Sequence, residues 1–473
     1  MKIPAQIIGI LVAAFLFTGC TRHAHPISLH PENPHYFLFR GEPVILIGST
    51  EHYGAVLNLD FDYIPYLDEL TAKGLNITRT FTGIYLEPQG AFGIEKNTLA
   101  PTSERFICPW ARSNQPGYAN GGNKFDLDQW DALYFSRLKG FIAEAGKRNI
   151  VVELDLFSNF YDTLQWKLSP LYIKNNINNI GDILDHKEVL SLKHPELLKV
   201  QEKMVRKIVE TLKDFDNLYY EVCNEPYFGD INALEAWEQH MTAVIADAEK
   251  DFPAKHLISQ NIANGSDTVT DPNPLVSVFN FHYAHPPVTV DINYDLQKAI
   301  GDNETGFNGI EDVVYRQEAW NFMLAGGALF NNLDYSFTAD HENGSFEVPA
   351  KQPGGGGGDL RFQFKILREV MGEIDFIHAK PSNHLIMNIH KERTTRILAI
   401  EGEQYLVYLS REGQKTSSCA ISIEILRGDY AAEWIDTKTG KRTLFDIPEH
   451  EGGVKTFLTP PYSEDIALKI TRK

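Results

Sequence analysis

Apolar segments of strand length alternate with amphipathic segments of helix length along most of the chain. Eight strand-like runs occur, at residues 44–48, 75–81, 150–156, 217–224, 256–261, 276–283, 298–304 and 327–337. Apolar residues spaced three or four apart predict helices at residues 60–73, 128–148, 194–212, 233–250, 311–323 and 359–373. The helix signals are weakest between strands five and six and between strands six and seven. This alternation predicts an α/β fold, and eight strands are most simply closed into a (β/α)8 TIM barrel.

An open, doubly wound sheet is the alternative, and it would need a glycine-rich phosphate turn after its first strand. The sequence at residues 48–52, Gly-Ser-Thr-Glu-His, has no such turn. Five glycines occur at residues 354–358, but no Lys-Ser or Lys-Thr follows them, so they do not form a phosphate loop. The glycine run is better interpreted as a flexible loop.

The pattern changes at both ends of the predicted barrel. Residues 33–43 predict a hairpin that turns at Arg40-Gly41 and floors the barrel. After Pro381 the chain has short alternating strands, at residues 397–409, 420–425, 431–435 and 466–470, separated by turns. We therefore predict a barrel domain at residues 33–380 and a small all-β sandwich at residues 385–473.

The first 20 residues have the pattern of a targeting segment, with Lys2, an apolar stretch at residues 7–17 and a Thr-Gly-Cys end. This end resembles a bacterial lipobox, in which Cys20 would be lipidated and become the first mature residue. Simple secretion is the alternative. We expect an exported lipoprotein, in the periplasm or at the outer membrane or cell surface, held to the membrane by a lipid anchor only. Residues 21–32 would be its tether.

Composition limits the partners. The formal net charge of -19, with no basic run, argues against nucleic acid, whose phosphates need clustered Lys and Arg. The three cysteines after Cys20 are widely spaced and odd in number, so we expect neither a disulfide framework nor a zinc site. We expect no cofactor and no metal, and no obligate protein partner is evident. A neutral substrate such as a carbohydrate fits this composition.

Two predicted strands end on a glutamate. Residues 217–224 run into Asn224-Glu225-Pro226, and Pro226 cannot donate to a sheet, so strand pairing ends there. The seventh strand ends at Glu304. Barrel enzymes keep their chemistry at the carboxyl ends of the strands. Two carboxyl groups about 5–5.5 Å apart can cleave a glycosidic bond with retention, and Asn224 would hydrogen-bond the sugar 2-hydroxyl.

These motifs resemble glycoside hydrolase clan A, in particular its cellulase-like family five members. The features that carry the resemblance are residues 220–226 (Tyr-Glu-Val-Cys-Asn-Glu-Pro), residues 280–283 (Asn-Phe-His-Tyr), residues 302–306 (Asp-Asn-Glu-Thr-Gly) and Arg79. The resemblance covers most of residues 33–380. It implies that Glu225 is the acid/base, Glu304 the nucleophile and Tyr283 the hydroxyl that orients Glu304. His282 and Arg79 would contact the substrate or support these groups.

The hairpin, the glycine-rich loop and the tail are similar to bacterial proteins classed as glycosidases, whose C-terminal sandwich is labelled collagen-binding. Nothing in this tail explains collagen binding, so we do not extend it to this chain. Many clan members place a tryptophan at the end of strand eight as a sugar platform, whereas this chain has Asn-Asn-Leu-Asp-Tyr-Ser-Phe at residues 331–337. Tyr335 or Phe337 would replace it.

Further substrate contacts are predicted in the loops at the carboxyl ends of the strands. Glu51 and His52 follow strand one, and Trp110 and Trp166 lie in long loops where indole rings are candidates to stack on sugars. Plain packing is the alternative for either tryptophan. Glu221 shares strand parity with Glu225, so it would point into the barrel, and we predict that it pairs with Arg79.

The leading interpretation is a retaining glycoside hydrolase acting on β-linked poly- or oligosaccharides. The alternative is a surface lipoprotein that binds carbohydrate on a barrel without catalysis, although the presence of both glutamates argues against it. A protease is disfavoured, because the sequence has no His-Glu-x-x-His motif.

Overall fold

The computed structural model describes residues 25–263, 267–388, 393–411, 413 and 415–473. The targeting segment and Cys20 lie outside this part of the chain, so export and lipidation stay predictions. Within the described residues, no helix combines the length and the apolar character needed to cross a membrane.

Eight parallel strands form one sheet at the centre of the larger domain. They are β1 Leu46–Thr50, β2 Ile77–Phe81, β3 Val151–Ser158, β4 Leu218–Asn224, β5 Ile258–Asn261, β6 Val278–His282, β7 Ala299–Thr305 and β8 Leu329–Leu333. Neighbours in the chain pair in parallel from β2 to β8, and β8 pairs with β1. Asn76 bridges β1 and β2, because its amide nitrogens donate to the carbonyls of Ile45 and Ile47 and its side-chain oxygen accepts from Ile47. The predicted TIM barrel is confirmed.

Helices surround the sheet. They are α1 Tyr63–Ala72, α2 Ala132–Lys147, α3 Thr163–Leu168, α4 Pro195–Leu212, α5 Ile231–Ala248, α6 Val288–Asn293, α7 Asp312–Leu324 and α8 Gly358–Gly372. Single 3-10 turns lie at Ala91–Gly93, Ile173–Asn175, His186–Glu188, Tyr294–Leu296 and Asn383–Leu385. Aspartates cap four of the helices by accepting amide hydrogens of the first turn, at Asp62, Asp131, Asp162 and Asp230. The crossover from β6 to β7, whose helix signal is weak, holds the short helix α6 and the 3-10 turn Tyr294–Leu296. The crossover from β5 to β6 holds no helix in the described residues.

The predicted floor hairpin is present. Strands Phe37–Phe39 and Glu42–Val44 pair around Arg40 and Gly41, whose φ values of 54° and 90° form a tight turn. A third strand, Ser28–Leu29, pairs with the first. Ile27 is buried, and its amide donates to the carbonyl of Asp216 at 2.8 Å. The end of the tether predicted at residues 21–32 is therefore part of the folded domain, because Ile27 is buried against that domain.

The long loop after β2 contains a second hairpin, with strands Trp110–Pro116 and Asn123–Trp130. The helix predicted from residue 128 begins at residue 132 as α2, because the side chain of Asp131 caps it there. Trp110 opens the first strand of this hairpin and is fully buried.

The C-terminal domain is a sandwich of two antiparallel sheets, as predicted. The larger sheet contains Lys380–Pro381, Arg393–Ile400, Gln404–Arg411, Asp465–Arg472, Gly428–Ile435 and Arg442–His450, in that order. The smaller contains Ile386–Asn388, Ala420–Ile425 and Gly453–Leu458. A separate apolar core includes side chains of both sheets. The run predicted as one strand at residues 397–409 is two strands, because the chain turns at Gly402 with φ 85°.

Helix α7 joins the two domains. The ring of Trp320 stacks on Tyr408 of the sandwich, with centroids 5.3 Å apart and an interplanar angle of 11°. Arg316, fully buried, pairs with Asp465 at 2.9 Å and Glu464 at 2.7 Å. Since α7 follows β7, the sandwich packs directly on the helix that succeeds Glu304.

Candidate active site

Both glutamates lie where a strand ends at the mouth of the barrel. Glu225 follows β4 with φ 50°, in the left-handed region, and its amide donates to the side chain of Asn261 at 3.0 Å. Such a backbone conformation in a non-glycine residue costs about 1–3 kcal/mol and occurs preferentially at functional sites. Glu304 is the sixth residue of β7. Both side chains line the same cavity.

The two carboxylates approach each other around His282 at the end of β6. One oxygen of Glu225, one oxygen of Glu304 and one ring nitrogen of His282 all lie within 4.8 Å of one another. Nδ1 of His282 is 2.9 Å from Oε1 of Glu225 and 3.6 Å from Oε1 of Glu304. The imidazole thus lies between two acids that are three barrel strands and 79 residues apart in the sequence.

Two tyrosines orient Glu304. The hydroxyl of Tyr53 donates to Oε2 at 2.6 Å, and the hydroxyl of Tyr283 donates to Oε1 at 2.8 Å. Nη1 of Arg79 lies 3.4 Å from Oε2 and donates to the Tyr53 hydroxyl at 2.8 Å. Each carboxylate oxygen therefore has its own fixed donor, so the side chain cannot rotate freely.

Glu225 has a different environment. Burial by itself would raise its pKa, but hydrogen bonds from His282, Tyr161 and Tyr227 outweigh burial and lower the pKa to about 2. Burial would lower the pKa of His282, but Glu304 and Glu225 outweigh it and raise that pKa. Both pKa shifts favour a proton on the imidazole, 2.9 Å from Glu225, over a proton on the carboxylate.

Arg79 organises the acids beneath the site. Its guanidinium is fully buried and pairs with Glu153, Asp155 and Glu221, the last at 2.8 Å, which confirms the predicted Glu221–Arg79 pair. Burial and the neighbouring Glu221 raise the pKa of Glu153 to about 7, against the opposing effect of Arg79. One arginine therefore faces more acids than it can neutralise, and protons held by the acids make up the difference.

Two groups of side chains have the spacing of metal ligands. Glu153, Asp155 and Glu221 offer oxygens within 4.8 Å of one another, but Arg79 supplies the positive charge there. In the other group, Glu225 and Glu304 with His282, each carboxylate already accepts tyrosine hydroxyls. The protein's own donors thus take the place that a cation would have in both groups.

The cavity above the carboxylates has a volume of about 580 Å³. Apolar surface predominates in its wall, where nine of the eighteen lining side chains are Phe or Tyr and eight are polar or ionisable, including Asn224, His52 and Glu87. Its lining residues are His52, Tyr53, Phe81, Tyr85, Glu87, Phe92, Leu99, Tyr161, Asn224, Glu225, Tyr227, Phe228, Tyr283, His285, Glu304, Phe307, Asn308 and Glu318. An apolar wall with a few convergent polar groups is the usual form of a small-molecule site.

Solved structures share this architecture. A protein described as a glycoside hydrolase matches with TM-score 0.65 at 14% identity, over 95% of this chain and 97% of its own. A glycoside hydrolase family 5 protein from Bacteroides vulgatus ATCC 8482 matches with TM-score 0.62 at 14% identity, over 95% and 94%. A protein from the same organism, described as a "putative glycoside hydrolase", has TM-score 0.65 at 15% identity, over 96% and 83%. This chain has the fold of these glycoside hydrolases.

The C-terminal domain matches a family model as well. Residues 381–469 match the model described as "Putative collagen-binding domain of a collagenase". Among curated proteins, none matches this sequence. The match covers the sandwich and not the barrel. The role of the barrel therefore has to be inferred from the geometry of its carboxylates.

Within the glycoside hydrolase fold, some predicted contacts do reach the cavity. The side-chain oxygen of Asn224 accepts from Arg79 at 3.0 Å, and its amide lies 3.3 Å from Ser158. His52 stacks beside Tyr53 and contacts Glu87 through Nε2 at 3.2 Å. Both side chains line the cavity, so both stay candidates for substrate binding.

Arg79 and His282 contact the carboxylates and do not line the cavity, and four other predicted contacts are not part of its wall either. Glu51 points away from it and accepts the amides of Gly54 and Ala55, so it shapes the loop after β1. Trp110 and Trp166 are fully buried, and Nε1 of Trp166 donates to a backbone carbonyl. Tyr335 is buried behind the wall, with its ring against His52 and Phe307. The tryptophans are buried because their large apolar rings pack the loops, which was the alternative interpretation.

The fold brings to the site several groups that were not predicted from the sequence. Tyr53 follows His52 and binds Glu304, although only its neighbours were proposed as contacts. Tyr161, in the loop after β3, donates to Glu225. Glu87 and Phe92 come from the long loop after β2. Tyr53 lay next to a predicted strand end, which is a usable signal, whereas the loop residues had none because loop conformation decides where they point.

Proposed function

We propose that this protein is a retaining glycoside hydrolase that cleaves β-glycosidic bonds of poly- or oligosaccharides. The observation that carries the proposal is the approach of Glu225 and Glu304, whose carboxylate oxygens lie within 4.8 Å of each other in one cavity. Retaining enzymes need their two carboxyl groups about 5–5.5 Å apart, whereas inverting enzymes need about 6.5–9.5 Å to admit a water. The fold shared with glycoside hydrolases supports the same activity.

In the proposed mechanism, a carboxylate oxygen of Glu304 attacks the anomeric carbon as the bond to the leaving oxygen breaks. The hydrogen bonds from Tyr53 and Tyr283 hold the carboxylate in the attacking orientation. The product of this step is an ester between the sugar and Glu304. Water then attacks the same carbon and releases Glu304, which restores the original configuration.

Glu225 serves as the acid and then as the base. The proton for the leaving oxygen passes from His282 through Glu225, whose Oε1 lies 2.9 Å from Nδ1 of His282. After the leaving group has gone, Glu225 takes a proton from the attacking water. Glu304 and Glu225 raise the pKa of His282, which favours the protonated imidazole that supplies the proton for the leaving oxygen.

Hydrolysis of an activated aryl β-glycoside by Glu225→Gln and Glu304→Gln tests the proposal. We expect turnover to fall by at least about 100-fold in each variant, because each loses a group that acts in the transition state. Glu196→Gln, which changes an exposed glutamate, is the matched control and should behave like the wild type. Unchanged circular dichroism would show that the variants fold.

A mechanism-based fluorinated glycoside distinguishes the two roles. It should label the peptide that contains Glu304 and no other, because only the nucleophile forms an ester with the sugar. Wild-type turnover by Glu304→Gln would refute the nucleophile assignment. Sugar binding without any turnover by the wild type would instead favour the non-catalytic carbohydrate-binding alternative.

A further inference from the structure

The loop after β2 places one phenylalanine over the centre of the barrel mouth. The ring of Phe92 lies 5.4 Å from Tyr161, which follows β3, and 6.3 Å from Phe307, which follows β7. Strands β3 and β7 lie on opposite sides of an eight-stranded barrel, so these three rings span the opening. Phe92 also lines the cavity that holds Glu225 and Glu304.

The backbone of this loop is shaped to present that ring. Phe92 has φ 54° within the single turn Ala91–Gly93, between Gly90 with φ 79° and Gly93 with φ 73°. A non-glycine residue in the left-handed region costs about 1–3 kcal/mol. Phe92 is nevertheless 44% exposed, so burial of its ring does not offset this cost. A strained, half-exposed aromatic residue over a cavity points to a role in binding.

Contacts on both sides hold the loop across the mouth. Glu87 contacts His52 at the end of β1 at 3.2 Å. Further along, the amide of Glu95 donates to the side chain of Gln352 at 3.2 Å, in the loop after β8. Lys96 lies over the ring of Phe346 in that same loop, 5.3 Å from its centroid. The loop is therefore a fixed part of the wall.

We propose that Phe92 closes the cleft, so that the site binds the end of a β-linked sugar chain and removes one terminal sugar at a time. An enzyme that cleaves internal bonds must let the chain leave the site in both directions, and the three rings obstruct one of them. The volume of about 580 Å³ lies in the ordinary range of about 300–1,000 Å³ for small-molecule pockets. This inference rests on the proposed glycoside hydrolase activity.

The test compares the wild type with Phe92→Ala on two kinds of substrate. A panel of nitrophenyl β-glycosides first identifies the sugar that the wild type releases. End-labelled β-linked oligosaccharides of that sugar are then digested, and the products are sized. We expect the wild type to release monosaccharide only. Phe92→Ala should yield shorter oligosaccharides from internal cleavage, with the ratio of internal to terminal cleavage raised at least about tenfold.

Three further variants make the result decisive. Phe92→Tyr keeps an aromatic ring and should keep the wild-type products, and Phe92→Leu replaces Phe92→Ala if the latter does not fold. Phe362→Ala removes a phenylalanine of similar exposure, 41%, from α8 outside the cavity wall and should change nothing. Internal cleavage by the wild type, or identical product patterns in all variants, would overturn the inference. Failure of the wild type to hydrolyse any aryl glycoside would overturn the proposed function itself.

Discussion

Tyr53 offers the sharpest test of how the site holds Glu304, the proposed nucleophile. Its hydroxyl donates to Oε2 of Glu304 at 2.6 Å and accepts from Arg79 at 2.8 Å. Replacing Tyr53 by Phe removes this one oxygen and leaves the ring, which stacks on Phe81 at 4.7 Å, in place. The change therefore isolates a hydrogen bond to the carboxylate.

A hydrogen bond to a charged group contributes about 1.5–3 kcal/mol. Since each 1.36 kcal/mol is a factor of ten in rate, we expect kcat/KM to fall by about 10- to 150-fold in Tyr53→Phe. Arg79, 3.4 Å from the same oxygen, would move closer and limit the loss. Because the bond orients the proposed nucleophile, the decrease should appear mainly in kcat and only slightly in KM.

Steady-state kinetics on an activated aryl β-glycoside measures both parameters. Tyr36→Phe is a matched control, since Tyr36 is buried and its hydroxyl has no hydrogen-bond partner among the described residues. Tyr283→Phe, alone and combined with Tyr53→Phe, completes a double-mutant cycle on the two oxygens of Glu304. A kcat within about threefold of the wild type in Tyr53→Phe would refute the orienting role, because that is less than 1 kcal/mol.

Three more predictions concern the frame of the site. The raised pKa of Glu153 means that the folded state holds a proton that the unfolded chain loses. This stabilisation is complete below pH 4.5 and is lost as pH rises through about 7. In Glu153→Gln, the urea unfolding midpoint should therefore fall less between pH 5 and pH 8 than in the wild type. Trp166→Ala should lower the unfolding free energy by about 3–5 kcal/mol, while the KM of the remaining folded enzyme stays unchanged, because this ring packs in the interior; a raised KM alone would restore it as a sugar platform. A chain ending at Ala379 should unfold at lower temperature in calorimetry, because it exposes Trp320; an unchanged melting temperature would contradict this.

The barrel was predictable because its evidence is local and repeated. Each strand is a short apolar run and each long helix has its own apolar stripe, so the alternation alone indicates the topology. The glutamates followed from position, since Pro226 ends β4 immediately after Glu225 and the carboxyl ends of parallel strands meet at one edge. The Glu221–Arg79 pair followed from strand parity and the cost of an unpaired buried charge.

The walls of the site were not predictable in the same way. Trp110 and Trp166 were chosen as large rings in loops, but each loop folds back and buries its tryptophan. Phe92 reaches the site only because its loop crosses the mouth in an unfavourable backbone conformation. In the tail, the turn at Gly402 divides a continuous apolar run, which only the pairing of the two strands reveals.

The docking of the sandwich on α7 sets how the barrel mouth would meet a large target. Trp320 stacks on Tyr408, and Arg316 pairs with Asp465 in the interior. These contacts hold the two domains in one relative orientation. If the sandwich attaches to a surface, that surface would therefore lie at a constant angle to the barrel mouth and at a constant distance from it. Attachment would orient the barrel mouth toward the target as well as raise its local concentration there.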